Sequence, residues 1–266
     1  MGVQAMMRGQ AWPLGVFPLG NARRDWADNY IRTALSLYGC QLWADGRDIT
    51  LADGASVETW PARIGTSPTQ STPGARPTFN QALGSVEFAG VDDALATAID
   101  LSSTKGATVY IVARLDSTAT TTVLWEYSAQ YDINDALVCG VDSSARFWTG
   151  MGSGGAGLSY RNSTATAPTT KAVFAARYDR DTNPDTLTQH TVFDHVYAEN
   201  TAFDSEKDGD KTNNFGAYDS WLGARNNGAG RWLNGGMYEA LIVPSYVPDT
   251  VHKMIIYALG VKGGLL

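Results

Sequence analysis

Short runs in which hydrophobic and polar positions alternate fill the middle of the chain. In residues 107–115, the odd-numbered positions from Val109 to Leu115 share one face, and the even-numbered positions share the other. A period of two is typical of an antiparallel strand with one buried face. Five further runs predict strands at 121–127, 136–141, 145–149, 171–179 and 188–197. Turn-rich segments separate them, which predicts an all-β, two-sheet antiparallel sandwich or jelly roll.

Two segments have a helical period instead. Between residues 21 and 39 one face is apolar, and its members are Trp26, Tyr30, Ile31, Ala34, Leu35 and Tyr38. Residues 248–259 have the same spacing, and Gly260 is expected to end that helix. The first helix is amphipathic, so it either packs against its own domain or docks on a partner chain. The pattern leaves both alternatives open.

Residues 1–20 have neither period. Gly and Pro interrupt isolated bulky groups, which predicts an extended arm that must lie on another surface to bury them. Pro13 and Pro18 reduce the freedom that such an arm loses on docking. We therefore expect residues 1–40 to mediate assembly and residues 41–266 to form a separate domain. The side chains expected to make the assembly contacts are Trp12, Phe17, Trp26 and Tyr30.

The segment 220–243 mixes strand and turn signals. Asn and Gly tolerate the positive φ that tight turns require, and here they stand beside apolar residues. The segment predicts, in order, a strand at 221–222, a polar loop at 224–231, a short strand at 232–233, a turn at 234–236 and a buried strand at 237–243.

Composition restricts the classes of partner. Charged residues make up 18% of the 266 residues, and the formal net charge is −7. Nucleic acid and anionic membranes select for clustered Lys and Arg, so neither is expected as a partner. Pro and Gly interrupt residues 1–20, so no signal peptide is expected, and no apolar run reaches the ~20 residues of a membrane span. Cys40 and Cys139 are expected to be buried free thiols.

Three stretches resemble one family of folds. Residues 76–79 (RPTF) and 86–95 (VEFAGVDDAL) carry the most specific match, and 220–243 is similar to a closing segment of the same domains. An opening pattern is matched by Leu42, Trp43, Asp45, Asp53, Gly54, Val57 and Trp60, although Ala62 stands where an Asp is usual. Residues 41–266 therefore resemble the concanavalin A-like lectin/glucanase superfamily, of the laminin-G-like kind. The resemblance implies a jelly roll and, by itself, no activity.

The strands lack the carboxylate pattern of a glycosidase. The glucanase branch of this superfamily has acids at alternate positions of one strand, because acid and nucleophile must face the same glycosidic bond. Glu87, Glu126 and Glu239 each stand without such a partner, and Asp92 and Asp93 are adjacent, so they point to opposite faces. We predict a protein that is not an enzyme, with no catalytic residue and no cofactor. Acids on separate strands can still meet in space.

One loop carries the chemistry of sugar recognition. A sugar ring needs a planar apolar surface beside amide and guanidinium donors. The candidate residues are Arg225, Asn226, Asn227, Arg231, Trp232 and Asn234. Turn formation by the same Asn residues is the alternative.

Two acidic segments resemble the first half of a calcium-binding loop. They contain Asp179, Asp181, Asn183 and Asp185, and then Asp204, Glu206, Asp208 and Asp210. His190 and Phe215 stand where the closing Glu is needed, so a solvated acidic loop is favoured and Ca²⁺ is the alternative. His190 and His195 are an odd number of positions apart and are not expected to share a metal.

The arm, the short helix and the jelly roll together resemble bacteriophage virion components of the tail, collar, fibre or head-decoration kind. The resemblance implies a virion location. Other virion proteins and further copies of the chain are the expected partners, and a host-surface glycan is the expected ligand. The alternatives are a bacterial carbohydrate-binding module or adhesin and a divergent glycan hydrolase.

Overall fold

The computed structural model describes residues 21–129, 135–152, 159–182, 186–200, 203–207, 213–225 and 228–266. Its helices are α1 (Asn21–Leu37) and α2 (Asp249–Gly263). Its strands are β1 (Leu42–Asp45), β2 (Ala62–Gly65), β3 (Thr78–Asn80), β4 (Ser85–Ala89), β5 (Leu95–Thr97), β6 (Gly106–Leu115), β7 (Thr122–Tyr127), β8 (Leu137–Val141), β9 (Arg146–Met151), β10 (Ser159–Thr166), β11 (Ala172–Asp179), β12 (Thr186–Phe193), β13 (Val196–Glu199), β14 (Phe203–Lys207), β15 (Ser220–Leu222) and β16 (Asn234–Val243).

One sheet contains nine of these strands. Its order is β13–β12–β11–β6–β16–β1–β2, and β4 pairs with both β16 and β3. The pairs are antiparallel, with Asp45 opposite Glu239 in β1–β16 and Tyr110 opposite Leu241 in β6–β16. β16 is buried on both faces after Asn234, which is why an unbroken apolar run encodes it.

The other sheet contains seven strands, in the order β14–β10–β9–β8–β7–β15–β5. The inner faces of the two sheets enclose the main hydrophobic core, in which Trp60, Trp125, Phe147 and Phe174 are fully or almost fully buried. Two stacked sheets that share an apolar interior are the architecture of a sandwich. The expectation of a two-sheet antiparallel jelly roll with an N-terminal and a C-terminal helix is confirmed.

Both helices cover the outer face of the nine-stranded sheet. Ile31 of α1 and Leu259 of α2 pack with Tyr110, Val112 and Leu241 in a second hydrophobic core. The alternation in 107–115 predicted one exposed face for β6, but the helices bury that face as well.

α2 continues beyond the expected stop at Gly260. It ends at Gly263, and Gly264 takes a left-handed conformation with φ of 71° and donates to the carbonyls of Gly260 and Val261. Gly260 is a packing residue instead, because a Cβ there would lie 2.6 Å from the side chain of Leu266. The glycine allows the end of the chain to fold back on the helix.

The predicted turn at 234–236 is part of a strand. No strand forms at 232–233, and β16 begins at Asn234. Gly235 has φ of 149°, and a Cβ there would lie 2.0 Å from the carbonyl oxygen of Arg114 in β6. This glycine permits the close approach of two strands rather than a reversal of the chain.

Other expectations are corrected in detail. The run 188–197 is divided into β12 and β13 by a turn at Asp194 and His195, both with positive φ. β10 was not expected, because its polar residues interrupt any apolar alternation. β14 lies within a segment predicted to be an acidic loop.

The position of α1 bears on the division at residue 40. Ala27, Ile31, Ala34 and Leu35 are buried in the second core, against the sheet of the same chain. In the described residues α1 and the jelly roll therefore share one core. The arm, including Trp12 and Phe17, lies outside the described residues, and its role in assembly stays a prediction. Both cysteines are free; Cys139 is buried and Cys40 is half-buried.

Candidate functional site

Three carboxylates from different elements meet beneath the helices. Asp45 and Glu239 are opposite each other in the β1–β16 pair, and Asp28 reaches them from α1. One oxygen of each lies within 4.8 Å of the others. Asp45 is 1% exposed and Glu239 is 4% exposed. Buried carboxylates of this kind need a cation.

The ammonium of Lys262, in the last turn of α2, supplies that cation. Its Nζ lies 2.6 Å from Asp28 Oδ1, 2.7 Å from Asp45 Oδ2 and 2.6 Å from Glu239 Oε1. Nζ occupies the position that a metal ion would take among three such oxygens. We call these four residues the carboxylate–lysine cluster. It carries its own cation and is not an open metal site.

Two arginines and a tryptophan complete the surroundings of the cluster. Arg63 lies 3.0 Å from Asp28 and 3.1 Å from Asp45. Arg47 pairs with Asp45 at 2.5 Å. Burial raises the pKa of Glu239 well above its usual value, and the charge of Asp45 adds to this. The indole N–H of Trp43, 2.6 Å from Glu239 Oε1, has the opposite effect on the pKa.

Acids from separate strands thus do meet in space, the alternative that the sequence left open. A glycosidase needs one carboxyl group as acid and a second as base or nucleophile, both facing the substrate. Asp45 and Glu239 face the helices and are bonded to cations. Their geometry ties α1 and α2 to the sheet and is not that of a catalytic pair.

A chain of buried polar side chains also joins α2 to this sheet. His252 Nδ1 lies 3.0 Å from the Tyr110 hydroxyl, and His252 Nε2 lies 3.0 Å from His190 Nδ1. Burial lowers the pKa of His190 to about 4 and lowers the pKa of His252 well below its usual value. One of the two nitrogens in the His252–His190 contact must accept, so the two rings cannot both be protonated. His195 is exposed in the turn before β13.

A cavity opens on the outer face of the seven-stranded sheet, on the opposite side of the sandwich from the helices. Its volume is about 220 Å³. Strands β9 and β10, the residues just before β7 and just after β8, and the loop between β15 and β16 contribute its walls. The lining residues are Thr121, Asp142, Trp148, Tyr160, Asn162, Arg225 and Arg231. We call it the outer-face cavity.

Some polar groups that line the outer-face cavity already have hydrogen-bond partners among the described residues, and others do not. Asp142 accepts hydrogen bonds from the backbone N–H of Ser144 and Arg146 and is paired with the Arg146 side chain at 2.6 Å. Among the described residues, the Tyr160 hydroxyl, the Asn162 amide and the Arg231 guanidinium have no hydrogen-bond partner. Three groups therefore remain available to a ligand.

The structure brings some of the predicted glycan residues to this cavity. Arg225 and Arg231 line it. Trp232, the residue after Arg231, is half-buried and donates its indole N–H to the Gly228 carbonyl at 3.1 Å. Asn234 begins β16 opposite Ala89, in the other sheet. Asn226 and Asn227 lie outside the described residues.

Five lining residues were missed from the sequence, namely Thr121, Asp142, Trp148, Tyr160 and Asn162. Trp148 follows the core residue Phe147, so strand alternation places it on the outer face, and this signal was available. Tyr160 and Asn162 share a face of β10, a strand whose polar composition hid it.

The calcium candidates are only partly described. Asp181 donates its backbone N–H to Asp179 and pairs with Lys105 at 3.1 Å, while Asn183 and Asp185 lie outside the described residues. Asp204 and Glu206 are in β14, a strand and not a loop. Asp208 and Asp210 also lie outside the described residues. Calcium binding stays a prediction.

Neither described helix combines the length and the hydropathy needed to cross a bilayer. No protein-family model matches the sequence. A comparison with curated proteins likewise found no match.

Solved structures do resemble the fold. The sialidase of Trypanosoma rangeli in complex with sialic acid is 8% identical with a TM-score of 0.55, covering 90% of this chain and 39% of the sialidase chain. This chain therefore spans well under half of that enzyme. The Ruminococcus gnavus sialidase module CBM40 bound to α2,3-sialyllactose is 9% identical with a TM-score of 0.44, covering 78% of this chain and 96% of the module. A pentraxin from Limulus polyphemus is 11% identical with a TM-score of 0.40, covering 58% and 70%. At such identities the likeness to the sialidase concerns the fold alone.

Proposed function

We propose that the chain is a carbohydrate-binding jelly roll without enzymatic activity, and that its ligand enters the outer-face cavity. The observation that carries the proposal is the arrangement of Tyr160, Asn162 and Arg231, which place a ring, an amide and a guanidinium around one opening with no partner among the described residues. Sugars have hydroxyl-bearing edges and apolar faces, and this set of groups meets both.

The position of Tyr160 and Asn162 on a strand favours recognition. Tyr160 and Asn162 are alternate residues of β10, so they share a face, and Asn162 pairs with Trp148 of β9 across the sheet. Trp148 is 8% exposed and packs with Val123 and Val138, which fixes the floor of the cavity. Side chains held by a sheet lose little freedom when a ligand binds, which favours affinity.

The size and charge of the cavity limit the ligand. A volume of about 220 Å³ is below the ~300–1,000 Å³ of sites for drug-sized molecules. We therefore expect one sugar unit, at the end or side of a longer glycan, to enter. Arg225 and Arg231 face an Asp142 that is already paired with Arg146, so an uncharged or acidic sugar fits better than a basic one.

The residues that line the outer-face cavity also favour binding without hydrolysis. Asp142 is the only acid in the described lining, and its oxygens accept bonds from Arg146 and Ser144. Most glycosidases use two carboxyl groups that flank the glycosidic bond, and the described lining does not supply such a pair.

A glycan array with the full chain tests the proposal. We expect Tyr160→Ala and Arg231→Gln to lower the signal on the recognised glycans at least tenfold, because each removes a stacking surface or a charge-assisted donor. Arg32→Gln, which removes an exposed arginine from α1 on the opposite side of the sandwich, is the matched control. Equal signals for all variants, or no signal for the wild type, would refute the proposal. Release of reducing sugar from a bound glycan would refute its non-enzymatic part.

We further propose that the jelly roll works on a bacteriophage virion, with a host-surface glycan as ligand. The support is the resemblance of the three sequence motifs and of the arm that precedes them. Mass spectrometry of purified virions is the test, and absence of the chain from the particles would leave the bacterial carbohydrate-binding module as the better interpretation.

A further inference from the structure

A larger cavity lies on the helix-covered side of the sandwich. It has a volume of about 630 Å³ and is bounded by the first turn of α1, the last turn of α2 and the turn 81–84 before β4. Its described lining contains four basic side chains, Arg24, Arg47, Lys171 and Lys262, and no acidic one. We call it the basic cavity. A concentration of cations is unexpected in a chain whose net charge is −7.

Two of the four cations are already neutralised. Lys262 is held by the three carboxylates of the carboxylate–lysine cluster, and Arg47 pairs with Asp45. Arg24 and Lys171 form no ion pair with any acid that the structure describes. Arg24 is exposed, whereas Lys171 is half-buried with its ammonium 4.3 Å from the centre of the Tyr238 ring.

The surroundings of Lys171 disfavour its charge as the protein stands. Burial lowers the pKa of Lys171, and repulsion from Arg47 and Arg24 lowers it further. Glu239 and Asp45 oppose this effect, but both are bonded to other cations. A negative group bound in the basic cavity would stabilise the charged form of Lys171, because it would lie directly between the cations that repel one another.

The walls of the cavity leave room for such a group. Gly84, Gly263 and Gly264 present backbone instead of side chains. Two of the carbonyls near the end of α2, which would repel an anion, already accept hydrogen bonds: Gly264 donates to Val261 and Leu265 donates to Gly260. α1 has no acidic residue in its first turn, so the positive end of its dipole is not offset there.

We propose that the basic cavity binds a phosphate or sulfate group, with Arg24 and Lys171 as its main contacts and the Gln81 amide as a further donor. Two cations without partners match a group of about two negative charges, which a phosphate monoester carries near neutral pH, better than a single carboxylate. The volume exceeds that of the bare ion, so the group can belong to a larger molecule such as a phosphorylated or sulfated sugar.

Calorimetric titration of the full chain at constant ionic strength tests this. The probes are inorganic phosphate, inorganic sulfate and glucose 6-phosphate, with glucose as the uncharged control. We expect saturable binding of at least one anionic probe at concentrations up to about 10 mM. Tighter binding of glucose 6-phosphate than of phosphate would identify a sugar-borne group as the ligand, and equal binding would identify the free ion.

The variants decide where the anion binds. Lys171→Gln and Arg24→Gln are each expected to weaken binding about tenfold or more, since each removes a charge-assisted contact. Lys105→Gln removes a cation that pairs with Asp181 outside the cavity and should have no effect. Lys171→Arg, which keeps the charge, should retain most of the binding and separates loss of charge from misfolding. Absence of saturable binding, or binding unchanged by both cavity variants, overturns the proposal.

Discussion

The side-chain ammonium of Lys262 lies 2.6 Å from Glu239 Oε1, and the two side chains are only 2% and 5% exposed. This contact joins the last turn of α2 to β16, which pairs with β6, β1 and β4 in its sheet. Asp28 and Asp45 form ion pairs with the same ammonium, at 2.6 and 2.7 Å, so α1 and β1 depend on it as well. Removal of one partner from a buried ion group leaves the remaining charges without compensation, which costs more than the pair contributes.

Lys262→Met is therefore expected to lower the free energy of unfolding by about 3–5 kcal/mol. The measurement is urea unfolding followed by tryptophan fluorescence, since Trp43 lies against the cluster. Lys253→Met is the matched control, because Lys253 pairs with Asp249 and Glu199 near the surface, and exposed pairs contribute about 0–1 kcal/mol. Equal losses in the two variants would contradict the central role of Lys262.

Gly235 provides a second test of the structure. Gly235→Ala is expected to lower the free energy of unfolding by at least about 1–3 kcal/mol, because the new Cβ meets the Arg114 carbonyl at 2.0 Å and the φ of 149° disfavours a side chain. Gly230→Ala, where a Cβ has no neighbour within 4 Å, should change stability by less than about 1 kcal/mol. If Gly235→Ala were as harmless as Gly230→Ala, the close approach of β16 to β6 at this glycine would be wrong.

Strand β6 and the segment 234–236 show where the sequence predicted the structure and where it did not. Strand alternation located β6 to within one residue, because its period depends on neighbouring side chains alone. Asn234-Gly235-Gly236 has the composition of a turn, yet the glycine serves an approach to β6, which is distant in sequence. Local patterns do not distinguish a glycine that bends the chain from one that admits a neighbouring strand.

The same limit applies to the charged residues. Asp45 and Glu239 belonged to motifs that suggested the fold, but each stood alone in its own strand. Their contact follows from the β1–β16 register, and Lys262 reaches them because α2 lies across that sheet. Arg225 and Arg231 were found from the sequence because they lie in one loop, whereas Tyr160 required knowledge of β10.

The pair His190 and His252 predicts a dependence of stability on pH. The pKa of His190 is about 4 in the native state, against 6.5 for an ordinary histidine. Well above pH 6.5 both states are neutral and the pair has no effect on the pH dependence. As the pH falls from 6.5 to about 4, the unfolded chain takes up protons that the native chain does not. The free energy of unfolding should then fall by about 1.4 kcal/mol per pH unit for each histidine that stays neutral in the native state.

Urea unfolding between pH 7.5 and 4.5 is the measurement. Around His190 and His252 the charged groups are Glu199 from β13, Arg177 from β11, and Asp249 and Lys253 from α2. The carboxylates of the chain also respond to acid, so the comparison is between variants. The double variant His190→Gln, His252→Gln should lose most of the slope above pH 5, while His195→Gln, in an exposed turn, should keep it. An unchanged slope in the double variant would assign the effect to other groups.

The assembly role of residues 1–40 can now be tested in two parts, because α1 is built into the second core and the arm precedes it. A chain that begins at residue 21 keeps every described residue, so we expect it to retain the melting temperature of the full chain and to lose the oligomeric state that the arm is predicted to support. A chain that begins at residue 39 lacks Ile31 and Leu35, which are fully buried, and lacks Asp28 of the carboxylate–lysine cluster. Loss of each large buried side chain costs about 2–5 kcal/mol, comparable to the ~5–15 kcal/mol total stability of a domain, so this shorter chain should not fold. Light scattering coupled to size-exclusion chromatography measures the first outcome, and circular dichroism during heating measures the second.

If the chain from residue 21 has the same mass in solution as the full chain, residues 1–20 do not hold copies together. If the chain from residue 39 folds and melts cooperatively, α1 is a separable docking element, and Trp26 and Tyr30 become the first residues to substitute in a search for its partner.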